Sequence, residues 1–507
     1  MTFQQLLDGA EVLSQSGDPG VSSVEYDSRR VKPGALFVAM RGETSDGNRF
    51  IDQAIQSGAV AVVTDSPAEK PREGVARALV PHGRRALARI SANFYKRPAE
   101  RIAVIGITGT NGKSTTAFLV ESILTAAKRK SALIGTIEYH VAGKIFPAPH
   151  TTPEPLELNR LFNEALGDGA TDAVMEVSSH ALAQQRVFGV PFDVAVFTNL
   201  TRDHLDYHQT MEEYFAAKRV LFEGCGVDAP RAAVTNCDDE YGAKLAAFSK
   251  KRSSTVLQYG WTRGDFHAEQ ADISPRGTRF DMITPQGKIP VFSPLIGRVN
   301  VYNILAAAAA CYERKCDATS IARGIERLTH VPGRFERVDC GQPFTVVVDY
   351  AHTDDALRNL TALAREFVSR AGGKGRVVTL FGCGGDRDRA KRPLMGEAAG
   401  RGSDFAVLTS DNPRSEDPLA IINDAIVGLQ KTGAKYTTEP DRRKAITLAI
   451  NEARPGDIVL LAGKGHEKTQ ISCEGALPFD DVEVAREALK AASFDCQPVE
   501  VGESGQA

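Results

Sequence analysis

Short apolar runs, separated by segments with helical periodicity, recur along most of the chain. The run at 102–107 is rich in β-branched residues, which predicts a strand that is buried on both faces of a parallel sheet. Further apolar runs follow at 131–136, 171–179, 192–200 and 232–236. Because these runs alternate with helical segments, we expect a doubly wound parallel sheet.

The same alternation occurs before and after this central part. Residues 1–97 predict short strands and helices, with two strands joined by the turn at 32–34. A Pro-Gly break at 331–333 precedes a second predicted α/β sheet. Its apolar runs read FTVVVDYAH at 344–352, GRVVTLFGCGGD at 375–386, DFAVLTSDN at 404–412 and DIVLLAGKGHE at 457–467.

Chain length and these patterns together predict three domains. A chain of 507 residues is long enough for about three domains that each bury their own core. We expect an N-terminal α/β domain at 1–97, a central doubly wound domain at 98–331 and a Rossmann-like α/β domain at 332–495. The last residues, 496–507, predict a loose polar tail.

The turn after the first central strand has the layout of a phosphate-binding loop. Gly109 and Gly112 let the backbone approach an anion, and the helix that opens at Lys113 directs free N–H groups at the same point. Lys113 would reach the outer phosphates of a nucleotide, and the Ser114 hydroxyl could bind magnesium. The strict motif has glycine where this chain has Ile107, so an ordinary strand-to-helix turn is the alternative.

Composition and charge are those of a globular protein with no general affinity for nucleic acid or membranes. Apolar residues make up 42% of the chain, and 61 basic against 64 acidic side chains leave a net charge of −3. The chain shows neither a signal peptide nor an apolar run of membrane-spanning length, so we expect a cytoplasmic protein.

The eight cysteines predict free thiols. No two of them form a CxxC pair, and their scatter favours neither a zinc site nor a disulfide framework, as in proteins of a reducing compartment. They stand at positions 225, 237, 311, 316, 340, 383, 473 and 496.

Polar side chains follow the predicted central strands and should meet near the phosphate loop, because ligands bind beyond the carboxyl ends of parallel strands. Glu176 and His204 are the preferred metal-shell candidates, with a capping or salt-bridge role as the alternative for Glu176. Without an HExxH motif, magnesium is a better candidate than zinc. Lys218 lies on a predicted amphipathic helix, and a single lysine in such a place indicates a charge exposed to solvent. The converging set is Glu176, Ser178, His180, Asn199, Asp203 and His204.

Three strand-end loops of the third domain carry many charged and amide side chains. Arginine forks bind carboxylates at two points and a glutamate can hold an ammonium, so these loops suit a small zwitterion with an extra carboxylate. A solvated charged rim is the alternative. The residues are Arg387 and Arg389 in 382–393, Asn412 and Arg414 in 410–418, and Lys464, His466 and Glu467 in 463–468.

These motifs together resemble those of the Mur ligases, the ATP-dependent enzymes that build the peptide of peptidoglycan. The likeness covers nearly the whole chain, keeps the family order and includes this variant of the phosphate loop. The matching segments are TGTNGKST at 108–115, MEVSSH at 175–180, TNLTRDHLDYH at 198–208, NVYN at 300–303, PGRFE at 332–336, DYAH at 349–352, DNPR at 411–414 and GKGHE at 463–467. The last two look like the member that adds meso-diaminopimelate to UDP-N-acetylmuramoyl-L-alanyl-D-glutamate.

The resemblance implies an ADP-forming amide ligase of peptidoglycan precursor synthesis. ATP would phosphorylate the D-glutamate side-chain carboxylate, the diaminopimelate amine would attack the acyl phosphate, and closure of the third domain would assemble the site. It also implies Mg²⁺, a carbamate on Lys218 from CO₂, and a monomer. The rival readings are a folylpolyglutamate synthetase and a nucleotide-dependent switch, although no NKxD motif is present.

The resemblance assigns roles to individual residues. The catalytic set is Lys113, Glu176, His204 and Lys218, of which Glu176 with Ser114 would hold one magnesium, and His204 with the Lys218 carbamate a second. ATP would contact Gly109, Thr110, Asn111, Gly112, Lys113, Ser114, Thr115, Asn303, Arg334, Asp349 and His352. The UDP-muramoyl dipeptide would contact Ser28, Glu43, Thr44, Ser45, His150, Thr151, Thr152, Ser178, Gln184 and Arg186. Diaminopimelate would contact Arg387, Asp411, Asn412, Pro413, Arg414, Gly463 and Glu467.

Two residues carry further expectations. Asp354 stands where the family usually has proline, so the turn before the next helix is where this chain departs from the pattern. Arg414 should set specificity, because lysine lacks the second carboxylate of diaminopimelate and would leave the guanidinium unpaired.

Overall fold

The protein, here a computed structural model, is described over residues 1–42, 45–68, 71–274, 276–370, 372–494 and 496. Three β-sheets follow one another along the chain, and helices pack on both faces of each. The predicted α/β class and the order of its parts are confirmed. Within the described residues, no helix combines the length and the apolar composition needed to cross a membrane.

The N-terminal sheet has five strands. Its elements are α1 (Phe3–Leu6), β1 (Ser14–Ser16), β2 (Ser23–Glu25), β3 (Ala35–Ala39), α2 (Ile51–Gln56), β4 (Ala59–Thr64), β5 (Ala76–Leu79) and α3 (Gly83–Phe94). The strand order is β1-β5-β4-β3-β2, with β1 antiparallel to its neighbour. The two strands expected around the turn at 32–34 are β2 and β3. They run parallel, so the chain crosses over between them through a short 3-10 helix at Ser28–Arg30.

The central sheet has eleven strands. Its elements are β6 (Ala103–Thr108), α4 (Lys113–Ala126), β7 (Ser131–Ile134), β8 (Glu138–Val141), β9 (Lys144–Pro147), α5 (Pro155–Gly167), β10 (Asp172–Glu176), α6 (Ser179–Ala183), β11 (Phe192–Phe197), α7 (Leu205–His208), α8 (Met211–Glu223), β12 (Ala232–Asn236), α9 (Glu240–Ser249), β13 (Thr255–Gly260), β14 (Phe266–Ser274), β15 (Gly277–Thr284), β16 (Gly287–Ser293), α10 (Arg298–Glu313) and α11 (Ala318–Arg327).

The five predicted central strands are confirmed as β6, β7, β10, β11 and β12, and they pair in parallel. The strand order is β16-β15-β14-β13-β12-β11-β6-β10-β7-β8-β9. The sheet is mixed, because β8 and β9 at one edge and β15 and β16 at the other run antiparallel. β7 and β10 lie on one side of β6, and the chain crosses to the other side between β10 and β11. Such a switch point is where open α/β sheets bind ligands.

The helix α10 carries five consecutive alanines, at 306–310, which are all fully buried. They belong to one hydrophobic core with α4 and with Ile105 and Ile107 of β6. On the opposite face of the sheet, Val104 packs in the core formed by α5 and α8. Helices therefore bury both faces of the strand that leads into the phosphate loop.

The third sheet has six strands, in the order β17-β18-β22-β19-β20-β21, and a separate hairpin β23-β24 follows it. Its elements are β17 (Glu336–Val338), β18 (Thr345–Asp349), α12 (Asp354–Arg370), β19 (Val377–Cys383), α13 (Lys391–Gly402), β20 (Phe405–Ser410), α14 (Pro418–Gln430), β21 (Lys435–Thr438), α15 (Arg442–Glu452), β22 (Ile458–Ala462), β23 (Thr469–Ser472), β24 (Gly475–Pro478) and α16 (Asp481–Ala491). The four predicted strands are confirmed as β18, β19, β20 and β22.

Asp354 does not disrupt the turn in which it replaces the usual proline. It is the first residue of α12, a position that favours proline because the N–H there has no partner within the helix. The side chain of Thr353 accepts the N–H of Ala356 at 3.0 Å and so caps the helix. Asp354 also pairs with Arg358 at 2.7 Å.

The expectation that all eight cysteines are free thiols is wrong for one pair. Cys340, just after β17, forms a disulfide with Cys496, which lies 156 residues further along the chain. Phe344 and Phe494 pack edge to face beside it, with 5.8 Å between ring centres. A pairing over such a separation leaves no trace in local cysteine spacing, which is why the sequence did not indicate it.

A buried ion pair should be essential to the third domain. Arg442 and Asp481 are fully buried and 2.6 Å apart, so Asp481→Ala would leave an unpaired guanidinium in the core. We expect a loss of about 3–5 kcal/mol in the free energy of unfolding, measured by urea denaturation. The neighbouring exposed pair of Arg443 and Glu487 gives the control. Glu487→Ala should cost less than about 1 kcal/mol, and equal effects would contradict the assignment.

Candidate active site

A cavity of about 460 Å³ lies between the carboxyl end of the central sheet and the start of the third domain. Many of the predicted site residues converge on it from separate parts of the chain. Those that line it are Thr110, Asn111, Gly112, Lys113, Ser114, Thr115, Thr151, Glu176, Ser178, Asn199, Asp203, His204, Asn303, Arg334, Asp349 and His352.

Two glycines make the tight phosphate loop possible. Gly109 and Gly112 have φ angles of +146° and +86°, which other residues rarely adopt. A Cβ would lie 1.9 Å from Thr198 Oγ1 at Gly109, and 2.3 Å from Asn303 Oδ1 at Gly112. Ile107, the departure from the strict motif, is a fully buried residue of β6. The strand therefore continues through that position, and the turn begins at Gly109.

The ends of neighbouring strands hold the loop in place. Asn199 Oδ1 accepts the N–H of Asn111 at 3.0 Å, and Thr198 Oγ1 donates to the Asn111 carbonyl at 2.7 Å. Thr198 and Asn199 follow β11, which pairs with β6. Polar residues after adjacent strands thus meet at the loop, as the sequence predicted.

Two lysines converge on one backbone carbonyl of the loop. Lys113 and Lys218 donate from Nζ to the Gly109 carbonyl, at 3.0 and 2.8 Å. Lys218 is only 1% exposed, and its Nζ lies 4.5 Å from the centre of the Tyr214 ring. Burial, and then the charge of Lys113, lowers the pKa of Lys218 well below its ordinary value. The prediction from the sequence alone, that Lys218 is a solvated charge on a helix, is therefore wrong.

Glu176 ends β10 on the wall of the cavity and is almost fully buried. Its two oxygens accept the N–H and the hydroxyl of Thr136, at 2.7 and 2.9 Å. With the Ser114 hydroxyl it offers oxygen donors, which suit a magnesium ion whose other ligands are phosphates and water. Among the described residues, no group of three or more His, Cys, Asp or Glu could hold a metal by itself.

His204 lies beside this donor set in an unusual backbone conformation. Its φ is +54°, which is uncommon for a residue other than glycine. Asp203 Oδ1 accepts the His204 N–H at 3.0 Å, and the ring packs edge-on against His180 with 4.8 Å between ring centres. Although 42% of the side chain is exposed, desolvation of the ring lowers the pKa of His204 below its ordinary value. The ring is therefore neutral, which is the form of histidine that binds metals.

The third domain contacts the phosphate loop from across the cavity. Arg334 Nη2 donates to Ser114 Oγ at 3.3 Å, and Asp355 accepts a hydrogen bond from Asn111 Nδ2 at 3.1 Å. The Arg334 guanidinium also lies 4.6 Å from the centre of the Tyr350 ring. The nucleotide cavity is thus completed by residues of two domains.

The other half of the cavity is formed by residues that the sequence did not predict. It is lined by apolar and amide side chains, which suit a flat aromatic base. These residues are Asn236, Tyr259, Ile296, Val299, Asn300, Tyr302, Asn359, Leu360 and Leu363. They come from four separate segments, so no local motif marks them. The NVYN segment at 300–303 is the one sequence signal for this region, and the family resemblance assigns a role only to its Asn303.

The residues predicted to hold the UDP-muramoyl dipeptide form two groups. Thr151 and Ser178 line the cavity. Thr152 lies behind them, where its hydroxyl donates to the Glu176 carbonyl at 2.9 Å and its carbonyl accepts from Arg186 Nη1 at 3.0 Å. Ser28, Ser45, His150 and Gln184 also lie outside the cavity wall, and Glu43 and Thr44 fall outside the described residues.

The loops predicted to bind an amino acid lie side by side in the third domain. The Gly385 N–H donates to the Asn412 carbonyl at 2.9 Å, and Arg414 Nη1 donates to the Gly385 carbonyl at 2.8 Å. Burial, and then the charge of Arg387, lowers the pKa of Arg414. Two neighbouring guanidinium groups repel each other unless an anion binds between them, so this pair suits a carboxylate.

Lys464, one of the charged residues predicted in the three strand-end loops, organises this cluster. It is fully buried, and its Nζ donates to Asn412 Oδ1 at 3.1 Å and to Glu467 Oε2 at 2.9 Å. Burial would raise the pKa of Glu467, but Lys464 holds it below its ordinary value. Glu467 is therefore ionised and can hold an ammonium group.

Pro413 and Gly463 contribute through the backbone. A Cβ at Gly385 would lie 1.9 Å from the Pro413 carbonyl oxygen, so the two arginine loops touch at this point. Gly463 has a φ of +114°, and a Cβ there would lie 3.1 Å from Asp411 Oδ2. Both contacts fix the spacing of the strand-end loops.

A chain of ring contacts connects the amino-acid cluster to the nucleotide cavity. Arg334 stacks on Tyr350, whose ring centre lies 4.8 Å from that of His466. His466 directly precedes Glu467. A Cβ at Gly333 would lie 2.0 Å from the backbone nitrogen of His466, so the PGRFE and GKGHE loops are in close contact. The two predicted sites therefore share one wall.

Fold and site define the class of protein, a phosphate-loop α/β enzyme whose nucleotide cavity is completed by a second domain. Three family models match in series: the Mur ligase family catalytic domain at 20–95, the Mur ligase middle domain at 107–311 and the Mur ligase glutamate ligase domain at 333–465. The chain belongs to the Mur ligase family, which confirms the resemblance of its motifs.

Curated relatives match over nearly the whole chain. The UDP-N-acetylmuramoyl-L-alanyl-D-glutamate--2,6-diaminopimelate ligase of Solibacter usitatus is 55% identical over 482 residues, which cover 94% of this chain and 94% of that protein. The protein of the same name from Geobacillus thermodenitrificans is 46% identical over 483 residues, which cover 94% and 96%.

Solved structures show the same fold. A structure of a UDP-N-acetylmuramoyl-L-alanyl-D-glutamate--2,6-diaminopimelate ligase is 32% identical, with a TM-score of 0.67 over 97% of this chain and 99% of that one. The MurF ligase of Thermotoga maritima in complex with ADP has a TM-score of 0.65 over 93% and 97%. Its 19% identity supports the fold alone.

Proposed function

We propose that this chain is an ATP-dependent ligase that joins meso-diaminopimelate to the D-glutamate side-chain carboxylate of UDP-N-acetylmuramoyl-L-alanyl-D-glutamate. The observation that carries the proposal is the shared wall between the phosphate loop at Lys113 and the amino-acid cluster of Arg387, Arg414 and Glu467. The names of the relatives from S. usitatus and G. thermodenitrificans support the choice of substrates.

The reaction begins with activation of the acceptor carboxylate, because a free carboxylate is a poor electrophile at neutral pH. The loop from Gly109 to Gly112 and the N-terminus of α4 hold the phosphates of ATP, and Lys113 neutralises charge on the outer ones. Transfer of the γ-phosphoryl group to the carboxylate gives an acyl phosphate and ADP. Positioning and electrostatic stabilisation carry most of this catalysis.

The second step forms the amide bond. Arg414 and Arg387 hold the carboxylate that distinguishes diaminopimelate from lysine, and Glu467 holds an ammonium group. The free amine attacks the acyl carbon, and a C–N bond forms in a tetrahedral intermediate. Phosphate then leaves with the electron pair of the C–O bond, and the amine nitrogen loses a proton.

The donor set would hold two magnesium ions, one at Ser114 and Glu176 and one at His204 and Lys218. Bound there, the ions stabilise negative charge on the transferred phosphoryl group. Lys218 fits this role as a carbamate, because its ammonium would repel a cation whereas a carbamate supplies anionic oxygens. The low pKa of Lys218 favours the neutral amine, to which CO₂ adds with release of one proton.

The first domain would take the UDP-muramoyl part of the substrate. The support is the joint between this domain and the central one, where Arg84 of α3 and Arg186 both pair with Glu154, at 3.0 and 3.1 Å. Arg186 Nη1 also donates to the carbonyl of Thr152, the residue after Thr151 of the cavity wall. A substrate that follows this joint would bring its carboxylate end towards the phosphate loop.

Phosphate release tests the proposed reaction. The protein should release phosphate from ATP when both UDP-N-acetylmuramoyl-L-alanyl-D-glutamate and meso-diaminopimelate are present, with an amide product visible by mass spectrometry. Omission of either partner, and replacement of diaminopimelate by L-lysine, provide the controls. ATP that stays intact in the complete mixture would overturn the proposal.

Arg414→Ala should weaken use of diaminopimelate far more than binding of ATP. Loss of the Arg414 guanidinium should lower kcat/KM for diaminopimelate by about 10- to 100-fold. The Kd for ATP, measured by calorimetry, should not change. Arg401→Ala is the matched control, because Arg401 is an exposed arginine of the same domain that pairs with Glu397. Unchanged amino-acid kinetics in Arg414→Ala would show that the pocket is misassigned.

Lys218→Ala should be nearly inactive and partly rescued by a short carboxylic acid such as acetate. The expected loss is at least about 100-fold in kcat, because anionic oxygens are removed from the phosphoryl-transfer site. Lys113→Ala should be equally impaired but not rescued, since acetate cannot replace a cation. An active Lys218→Ala protein, or one that acetate does not rescue, would count against the carbamate.

A further inference from the structure

Lys391 is the first residue of α13 and reaches from the third domain into the central one. Its Nζ lies 3.0 Å from Asp203 Oδ1. The side chains of Lys391 and Asp203 are 16% and 9% exposed, so the pair is largely removed from solvent. The site roles assigned above do not include Lys391.

The position of Lys391 in its helix is unfavourable on local grounds. Basic residues in the first turn oppose the helix dipole, yet α13 begins with Lys391 and Arg392, and Ala390 before them supplies no side-chain cap. Arg392 is compensated within its own domain by Glu416 and Asp424, at 2.7 and 2.9 Å. Lys391 instead pairs with a carboxylate of the central domain, that of Asp203. A residue that breaks a local rule in this way indicates a functional constraint.

The carboxylate that Lys391 meets also holds a strained residue. His204 has a φ of +54°, a conformation that persists where the surroundings fix it. Asp203 Oδ1 accepts both the His204 N–H, at 3.0 Å, and the Lys391 ammonium. Asp203 Oδ2 lies 3.4 Å from His204 Nε2. One carboxylate thus connects the third domain to the backbone and the ring of His204.

We propose that Lys391 is a positioning residue of the ligase, which acts through Asp203 to fix the His204 ring when the third domain docks. The inference rests on the proposed function, in which His204 is a metal ligand. The segment that leads into Lys391 also carries Arg387, which is proposed to bind the amino acid. The domain that brings the amine therefore also completes the geometry of the phosphoryl-transfer site.

A plain interdomain ion pair is the competing explanation. The exposed pair of Arg202 and Asp388, at 3.3 Å, already joins the same two surfaces at the rim. Such exposed pairs contribute little to docking. Lys391 differs because it is mostly buried and because its partner, Asp203, also accepts a hydrogen bond from the N–H of His204. A docking role would change the affinity between domains, whereas a positioning role would change the metal site.

The experiment uses Mn²⁺ in place of magnesium, with the full chain and a non-hydrolysable ATP analogue, and measures Mn²⁺ affinity by electron paramagnetic resonance. In Lys391→Met, Mn²⁺ affinity and kcat should both fall about 10- to 100-fold, the range seen when a group that orients a metal ligand is lost. The KM for diaminopimelate should not change. Lys391→Arg should recover most of the Mn²⁺ affinity.

Lys444→Met is the matched control, because Lys444 is an exposed lysine of the same domain that lies 3.8 Å from Asp441. Its Mn²⁺ affinity should change less than about fivefold. Wild-type Mn²⁺ affinity in Lys391→Met, or a loss that Lys391→Arg does not recover, would overturn the inference. If the unmodified protein failed to use diaminopimelate, the proposed function would fail, while the Mn²⁺ comparison would still decide the role of Lys391.

Discussion

The turn between β6 and α4 determines where every other group of the candidate site must lie. Gly109 and Gly112 adopt backbone conformations that other residues avoid, and Thr198 and Asn303 fill the space that a Cβ would need. In this confined turn the Gly109 carbonyl accepts hydrogen bonds from the Nζ atoms of both Lys113 and Lys218. Two lysine side chains therefore meet at the loop where phosphates are proposed to bind, and in the proposed reaction the remaining domains bring two further substrates to the same point.

The parallel centre of each large sheet was predictable, whereas the edges were not. Strands such as β6 and β10 are buried on both faces, so they appear in the sequence as continuous apolar runs. The edge strand β9 is exposed along its whole length, and β14 is exposed over its middle, so neither leaves such a run. The Cys340–Cys496 disulfide depends on the path of the whole third domain, which no local spacing records.

The residues of the candidate site also include some that the sequence could predict and some that it could not. Loops with compact motifs, such as those at Lys113 and Arg414, could be predicted as candidate sites because their residues are neighbours in sequence as well as in space. The buried position of Lys218 is a property of the packed structure, so the sequence alone indicated a solvated charge, and only the family resemblance pointed to a ligand role. Lys464 stands in an identified motif, but its partner Asn412 lies on another loop.

The buried alanines of α10 have a consequence for the depth of the nucleotide cavity. Asn300 and Asn303 stand on the first turns of this helix, and the fully buried stretch at 306–310 shares a core with α4, which begins at Lys113. Because alanine side chains are a single methyl group, they allow the axes of α10 and α4 to pack close together. A larger side chain at 306–310 would push the two helices apart. Asn300 and Asn303 would then move away from Lys113, although the substituted position does not contact the ligand.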